Sequence, residues 1–214
     1  MSRSRSLALL VLPLGLVASC QIFLPDLLQH RRFQRVEPIR RIAVVPFYPH
    51  ARLSRAAEES GISAWETTAL VARFVSEALE VRDVEVIPET DVRLAFEGQG
   101  KVVPRQAPEV VAMLVHSEFG ADAVLLGEVR RYREREGSDF GSMAPASIDF
   151  QVTLYSTPDA TRLWTATFDQ TQGPLSSDFF SASRYPAGGT RFLTVAELAR
   201  FGARLVAEEL PLGR

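Results

Sequence analysis

The 214-residue chain is poor in the residues that most often carry chemistry. It has one cysteine, which excludes an internal disulfide, and Lys101 is its only lysine among 24 basic residues. Its histidines, His30, His50 and His116, lie far apart in the chain, and none has the HExxH spacing of a zinc site. We therefore expect neither a bound metal nor a cofactor.

An excess of charge of one sign is also absent. Against 24 basic residues stand 26 acidic ones, and the formal net charge of −2 excludes a nucleic-acid partner held by bulk positive charge. Hydrophobic residues make up 46% and charged residues 23%, which excludes a wholly disordered chain. This length predicts one domain, or one domain with an extension.

Familiar catalytic motifs are missing as well. Residues 98–101, Gly-Gln-Gly-Lys, resemble a phosphate-binding loop. However, Ala95 stands where that motif begins with glycine, and Val102 stands where it ends with a hydroxyl residue. Neither a Gly-x-Ser-x-Gly elbow nor a Ser-x-x-Lys motif occurs. We expect a protein that is not an enzyme and has no catalytic residues.

The N-terminal segment has the pattern of an export signal. Arg3 and Arg5 precede an apolar run of 11 residues from Leu7 to Val17, which is the length of a signal peptide and too short to span a membrane. The run ends in residues 17–20, Val-Ala-Ser-Cys. These residues resemble the bacterial lipobox, with Val17, Ala18 and Ser19 as the residues that signal peptidase recognises. An ordinary secretory signal with an incidental cysteine is the alternative.

The lipobox resemblance implies that residues 1–19 are removed and that Cys20 carries lipid and anchors the chain in a membrane. Gln21 follows the cysteine, which in enterobacterial lipoproteins implies the outer membrane. We expect a cell-envelope protein, lipid-anchored at the periplasmic face of the outer membrane. Residues 20–38 are interpreted as the lipidated cysteine and a tether reaching at most ~60 Å. The apolar part of this tether, 22–28, is expected either to contact the membrane or to dock on the domain.

Residues 39–214 have the pattern of one periplasmic α/β domain. Strands are predicted where apolar residues are continuous or alternate with polar ones, at 42–47, 84–88, 121–132, 148–155 and 162–170, the last two as an antiparallel hairpin. Helices are predicted from Ser63, over 107–119 and from Thr194, the first and last with capping boxes. The expected fold is a single mixed β-sheet of about five strands covered by about three helices. Residues 48–62, 133–146 and 171–192 are expected to be loops.

Three short motifs in order behind the lipobox resemble a known family. They are Ile-Ala-Val-Val-Pro-Phe at 42–47, Gly-Ala-Asp-Ala-Val-Leu-Leu-Gly at 120–127 and Leu-Trp at 163–164. The order is similar to that of the periplasmic lipoproteins typified by CsgG, a group that includes PelC, LpoB and the N-terminal domain of TolB. The resemblance covers about residues 40–210. It implies a mixed α/β domain that works by binding other proteins, as a homo-oligomer or with an envelope partner.

Two departures from this family narrow the expected function. The loops at 133–146 and 171–192 lack the long alternating segments of a CsgG-like pore, and the tether is short for an LpoB-like reach across the envelope. We therefore expect a lipid-anchored accessory protein that acts by protein–protein contacts in outer-membrane assembly or export, of a secretion or polysaccharide-export type. The alternative is an activator of peptidoglycan synthesis or a glycan-binding envelope lipoprotein.

Each of these functions would use different side chains. Partner contact would use the aromatic residues of the 171–192 loop, unless they fold back onto the sheet: Phe179, Phe180 and Tyr185. A glycan binder would stack sugars on Trp65, on Tyr132 or on the same loop. A hydrolase, the third hypothesis, would need its carboxylates to meet in one cleft: Asp122, Glu128 and Asp139.

Overall fold

A computed structural model describes residues 28–33, 37–101, 106–138, 141–173, 185–186 and 191–213. Within these ranges the chain forms nine strands and five helices. In chain order they are β1 Gln29–Arg32, β2 Arg41–Val44, β3 Tyr48–Pro49, α1 Ala51–Ser60, α2 Ala64–Leu79, β4 Glu85–Ile87, α3 Glu89–Gly98, α4 Pro108–Phe119, β5 Ala123–Arg133, β6 Glu136–Gly137, β7 Ser142–Ala144, β8 Ser147–Ser156, β9 Arg162–Thr171 and α5 Val195–Glu209. No helix of the described ranges is both long and apolar enough to cross a membrane.

Seven of the strands form one mixed sheet, in the order β1-β9-β8-β5-β2-β4, with β3 also paired to β5. The β2 strand lies parallel to both its neighbours, with Ile42 opposite Val86 of β4 and Ala123 of β5. From β5 to β1 all pairings are antiparallel. The mixed α/β fold and the 148–170 hairpin are confirmed, and the central strand predicted at 42–47 is confirmed over Ile42–Val44 only. A strand paired on both sides and covered on both faces is expected to be continuously apolar, as Ile42–Val44 is.

Helices cover both faces of the parallel half of the sheet. Alternate residues of β2 define the two layers, because successive side chains of a strand point to opposite faces. Ile42 and Val44 belong to the core formed with α1, α2 and α5. Ala43 belongs to the smaller core formed with α3 and α4. Along β8 and β9, apolar residues fill the first core, while half-exposed polar residues line the second face.

The expected number of elements is too low, because short and weakly apolar segments also form regular structure. Residues 48–62 contain β3 and α1 instead of a loop, and over residues 51–59 of α1 only Leu53 and Ala57 are buried. That apolar stripe is too narrow to be recognised by periodicity. Residues 89–98 form the helix α3, which is not among the three predicted helices, and the 133–146 loop contains the small β6–β7 pair.

The end of the expected tether belongs to the folded domain. In β1, Gln29 lies opposite Thr167 and Arg32 opposite Trp164 of β9. Leu28 is 3% exposed, and the Phe33 amide donates a hydrogen bond of 2.9 Å to the Leu163 carbonyl. Of the apolar part of the tether, 22–28, only Leu28 lies within the described residues, and it follows the docking alternative because it is buried in the domain. Residues 22–27 lie outside the described residues.

Helix caps fix the ends of three helices. The Ser63 hydroxyl accepts from the Glu66 amide at 3.2 Å at the start of α2. At α5, Thr194 and Glu197 form a complete capping box, as predicted. The α4 helix ends at Gly120, whose φ of 59° is left-handed and favours glycine.

A glycine allows α5 to lie directly on the sheet. A Cβ atom at Gly202 would lie 2.4 Å from the Phe168 ring of β9, closer than packing permits. We expect Gly202→Ala to lower the free energy of unfolding by about 1–3 kcal/mol in urea titrations, because the helix must move away. Gly98→Ala is the control, since nothing lies within 4 Å of its Cβ position. Equal stability of the two variants would contradict this packing.

Candidate functional site

A cleft of about 280 Å³ opens beyond the carboxyl end of β2. The connection from β2 to β4 runs through α2 on one face of the sheet. The connection from β4 to β5 runs through α3 and α4 on the other face. Ligands of open α/β sheets bind where the strand order reverses in this way, outside the carboxyl ends of the strands. The cleft lies at that point, between Pro46 after β2, Leu126–Glu128 of β5 and Pro108 at the start of α4.

Two tyrosines and a row of polar side chains line the cleft. Tyr48 lies on one side and Gln151, Thr153 and Tyr155 of β8 lie on the other. Burial and the adjacent Glu128 carboxylate raise the pKa of Tyr48 to about 12. Burial also raises the pKa of Tyr155. Both phenols therefore remain protonated at neutral pH and can donate hydrogen bonds.

Glu128 brings a negative charge to the cleft, but it is paired. Its carboxylate lies 3.3 Å from Nε of Arg130, and both side chains are largely buried. The lining therefore offers neutral donors and acceptors beside an internally balanced ion pair. A volume of about 280 Å³ lies just below the range of ~300–1,000 Å³ typical of drug-sized ligands. The cleft suits one small, uncharged polar group.

A network of charged side chains adjoins the cleft on the same sheet. The register of β5 against β8 shifts between Val129 and Arg131, and a bulge of this kind re-aims side chains. Arg130 donates to Gln151, and Arg131 donates to Ser147 Oγ at 2.6 Å and pairs with Asp169. Three neighbouring strands are joined by these side chains.

One member of this network has an unsatisfied atom. Asp149 is 9% exposed, and its Oδ1 has no hydrogen-bond partner, the nearest cation being Arg130 Nη1 at 3.7 Å. Burial, followed by the Asp169 carboxylate, raises the pKa of Asp149, although Arg130 and Arg131 oppose the shift. A buried acceptor without a partner destabilises the folded state.

This pKa shift predicts a pH-dependent stability. With a pKa higher in the folded than in the unfolded chain, Asp149 favours folding in its protonated form, and that contribution is lost as the pH rises through the folded-state pKa. We expect Asp149→Asn to raise the urea midpoint at pH 7 and the gain to shrink below pH 4. Asp83→Asn removes an equal charge outside the network and is the control. A lower midpoint for Asp149→Asn at pH 7 would show that Asp149 is stabilising as a carboxylate.

A second exposed site lies at the β1 edge of the sheet. The Arg162 guanidinium lies 4.0 Å from the centroid of the Phe33 ring, and that of Arg31 lies 5.4 Å from it. Phe33 is 37% exposed, and Arg31, Arg32 and Arg162 are exposed too. We call Arg31, Arg32, Phe33 and Arg162 the cationic edge. In the described part of the chain, no carboxylate forms an ion pair with these three arginines.

The residues predicted for lipidation and partner contact have different outcomes. Most of them lie outside the described residues: Val17, Ala18, Ser19, Cys20, Phe179 and Phe180. Tyr185 is described and is 5% exposed, with its ring centroid 5.6 Å from that of Phe201. The expectation that Tyr185 is an exposed contact residue is therefore corrected. Its ring packs onto the core, as the fold-back alternative expected.

The two described carboxylates of the hydrolase hypothesis do not meet. Asp122 accepts hydrogen bonds from the Arg40 and Arg41 amides at 2.8 and 3.0 Å, which gives it a structural role. Glu128 lies six residues further along an extended strand, about 20 Å away. Asp139 lies outside the described residues. Over the described ranges, no group of three or more histidine, cysteine and acidic side chains is placed to hold a metal ion.

The aromatic residues of the glycan hypothesis are also separate. Trp65 is 48% exposed on the first turn of α2, whereas Tyr132 is half-buried near the end of β5. Neither of them lines the cleft, which uses Tyr48 and Tyr155. Sequence reasoning missed these two tyrosines, although the predicted β-α-β-α-β order could have located the carboxyl end of β2 as a ligand position.

Comparisons with known proteins give weak similarities. No protein-family model matches the chain, and no curated protein matches it. Among solved structures, the lipoprotein GNA1162 from Neisseria meningitidis is 22% identical with a TM-score of 0.39, over 60% of this chain and 79% of that one. The PelC dodecamer from Paraburkholderia phytofirmans is 16% identical with a TM-score of 0.44, over 87% and 98%. The LpoB C-terminal domain from Salmonella enterica is 16% identical with a TM-score of 0.36, over 64% and 85%. At these values the matches assign neither family nor function to the chain.

Proposed function

We propose that this chain is a lipid-anchored accessory protein of the bacterial cell envelope. In this proposal it acts through protein–protein contacts in outer-membrane assembly or export, of a secretion or polysaccharide-export type, and is not an enzyme. The observation that carries the proposal is the only cysteine of the chain, Cys20, at the end of a lipobox-like segment. Gln21 supports a position at the periplasmic face of the outer membrane.

The position of β1 supports a role close to the anchoring membrane. Leu28, the first described residue, is buried in the domain and follows Cys20 by eight residues. Eight residues span at most about 28 Å when fully extended, against ~60 Å for a tether that ended at residue 38. A domain held this closely meets partners at its own membrane more readily than partners across the periplasm.

Exposed apolar side chains offer places for protein contacts. Ile62 and Trp65 are 61% and 48% exposed, and they flank the N-cap of α2 three residues apart. Clustered apolar side chains that remain exposed are typical of interaction surfaces. With Phe179 and Phe180 they are the candidate contacts to a second copy of the chain or to another envelope protein.

Lipidation is the first test of this proposal. We expect the full chain, expressed in a Gram-negative host, to incorporate radiolabelled palmitate and to fractionate with the outer membrane. Cys20→Ser should abolish the label because the thiol is the acylated atom. Ser19→Ala keeps a small residue before the cleavage site and should keep the label. An unlabelled parent chain would refute the anchor.

Self-association is the second test. We expect light scattering over a concentration series to show an oligomer of defined mass for residues 20–214 carrying Cys20→Ser. Combined Phe179→Ala and Phe180→Ala should weaken this association about tenfold or more, as loss of aromatic contacts does at interfaces. Met143→Ala changes a side chain that is 88% exposed and is the control. A monomer that also cross-links to no protein in the native envelope would contradict action by protein contacts.

The cleft favours a second candidate function, the binding of an envelope glycan. Its tyrosine, glutamine and threonine side chains can stack on a sugar ring and hydrogen-bond to its hydroxyls: Tyr48, Gln151, Thr153 and Tyr155. Isothermal titration with peptidoglycan fragments separates the two candidates. A glycan binder should give a heat of binding, whereas a protein that acts only by protein contacts should give none.

A further inference from the structure

We propose that the cationic edge docks on anionic lipid headgroups of the membrane that holds the anchor. The inference rests on the proposed lipidation of Cys20 and adds the face that the domain turns toward the bilayer. The occupant is a membrane surface carrying anionic phosphodiester headgroups. Three observations carry this assignment: the place of β1 in the chain, its charge, and the exposure of Phe33.

The connection to Cys20 places the β1 edge next to the bilayer. Arg31 follows Cys20 by 11 residues, so the two are at most about 38 Å apart. At the other end of the sheet, β4 is separated from β1 by five strand spacings, about 24 Å. Of the two sheet edges, β1 is the one that continues directly into the connection to Cys20.

The charge of this edge fits an anionic surface. Arg31 and Arg32 of β1 and Arg162 of β9 are exposed together. The nearest acidic residue in the sequence is Asp159, three residues before Arg162, and its carboxylate already accepts hydrogen bonds from the Thr161 amide and hydroxyl. A guanidinium matches phosphate oxygens in a planar, two-pronged geometry. The attraction to a charged surface decays within a Debye length of about 8–10 Å, which the short tether allows the edge to reach.

Phe33 separates this proposal from simple protection of an edge strand. Charged residues on an edge strand by themselves prevent pairing with other sheets. That role does not require an exposed phenylalanine, yet Phe33 is 37% exposed and both the Arg31 and the Arg162 guanidiniums lie over its ring, at 5.4 and 4.0 Å from the centroid. Surfaces that lie at the boundary between headgroups and acyl chains combine basic residues with apolar ones such as phenylalanine. The edge therefore has the composition of a surface that enters an interface.

Vesicle sedimentation tests the proposal directly. The protein is residues 20–214 carrying Cys20→Ser, and the vesicles contain phosphatidylethanolamine with phosphatidylglycerol, or phosphatidylcholine alone. We expect binding to the anionic vesicles and not to the neutral ones, decreasing as salt rises from about 50 to about 300 mM. Combined Arg31→Glu and Arg162→Glu should reduce the bound fraction about tenfold, and Phe33→Ala about threefold.

A matched control changes charge elsewhere on the domain. Combined Arg52→Glu and Arg55→Glu makes the same change on exposed positions of α1 and should leave binding close to that of the parent. Circular dichroism checks folding, and Arg31→Gln with Arg162→Gln replaces the reversal if that variant unfolds. Equal losses in the β1 and α1 variants, or no binding of the parent to anionic vesicles, would overturn the proposal.

The result is independent of the test of lipidation. The vesicle assay uses a chain that cannot be acylated, so it reports only on the cationic edge. Palmitate labelling of the parent chain reports only on Cys20. A labelled chain that ignores anionic vesicles refutes the docking face and keeps the anchor. An unlabelled chain refutes the anchor whatever the vesicles show.

Discussion

The positions of the other strands and of the helix layers follow from the pairing of β5 with a strand on each of its sides. This 11-residue strand binds β2 in parallel and β8 in antiparallel register, and so joins the two halves of the sheet. Asp122 fixes the start of β5 against the start of β2, because its Oδ2 accepts hydrogen bonds from both the Arg40 and the Arg41 backbone amides. Loss of this register would separate the α3–α4 layer from the hairpin layer.

The same strand positions the polar features of the molecule. Its middle residues, Leu126–Glu128, contribute to the cleft, and the bulge after Val129 directs two successive arginines toward β8 and β9. The network satisfies most of its members but leaves Oδ1 of Asp149 without a hydrogen bond. Natural domains retain such unfavourable polar groups mainly where specificity or function benefits from them. The unsatisfied Asp149 oxygen therefore marks this face of the sheet as a candidate functional surface.

The β1 strand connects the fold to the proposed function. Its pairing with β9 makes four residues of the expected tether, Gln29–Arg32, part of the sheet and leaves at most about 28 Å of chain between Leu28 and Cys20. This short connection limits the proposed action to the neighbourhood of one membrane. It also keeps the arginines around Phe33 within reach of the membrane surface proposed to bind them. The pairing of β1 with β9 thus limits the distance between the domain and its proposed anchor.

Elements whose signals are local could be predicted from the amino-acid sequence. The apolar run at 42–47, the alternating hairpin, the capping box of Thr194 with Glu197 and the lipobox-like segment each lie within a few consecutive residues. Four other features became visible in the folded chain alone: the pairing of β1, the helix at 51–60, the burial of Tyr185 and the convergence of Tyr48 with Tyr155. These features depend on contacts between residues far apart in the chain, which periodicity and composition do not encode.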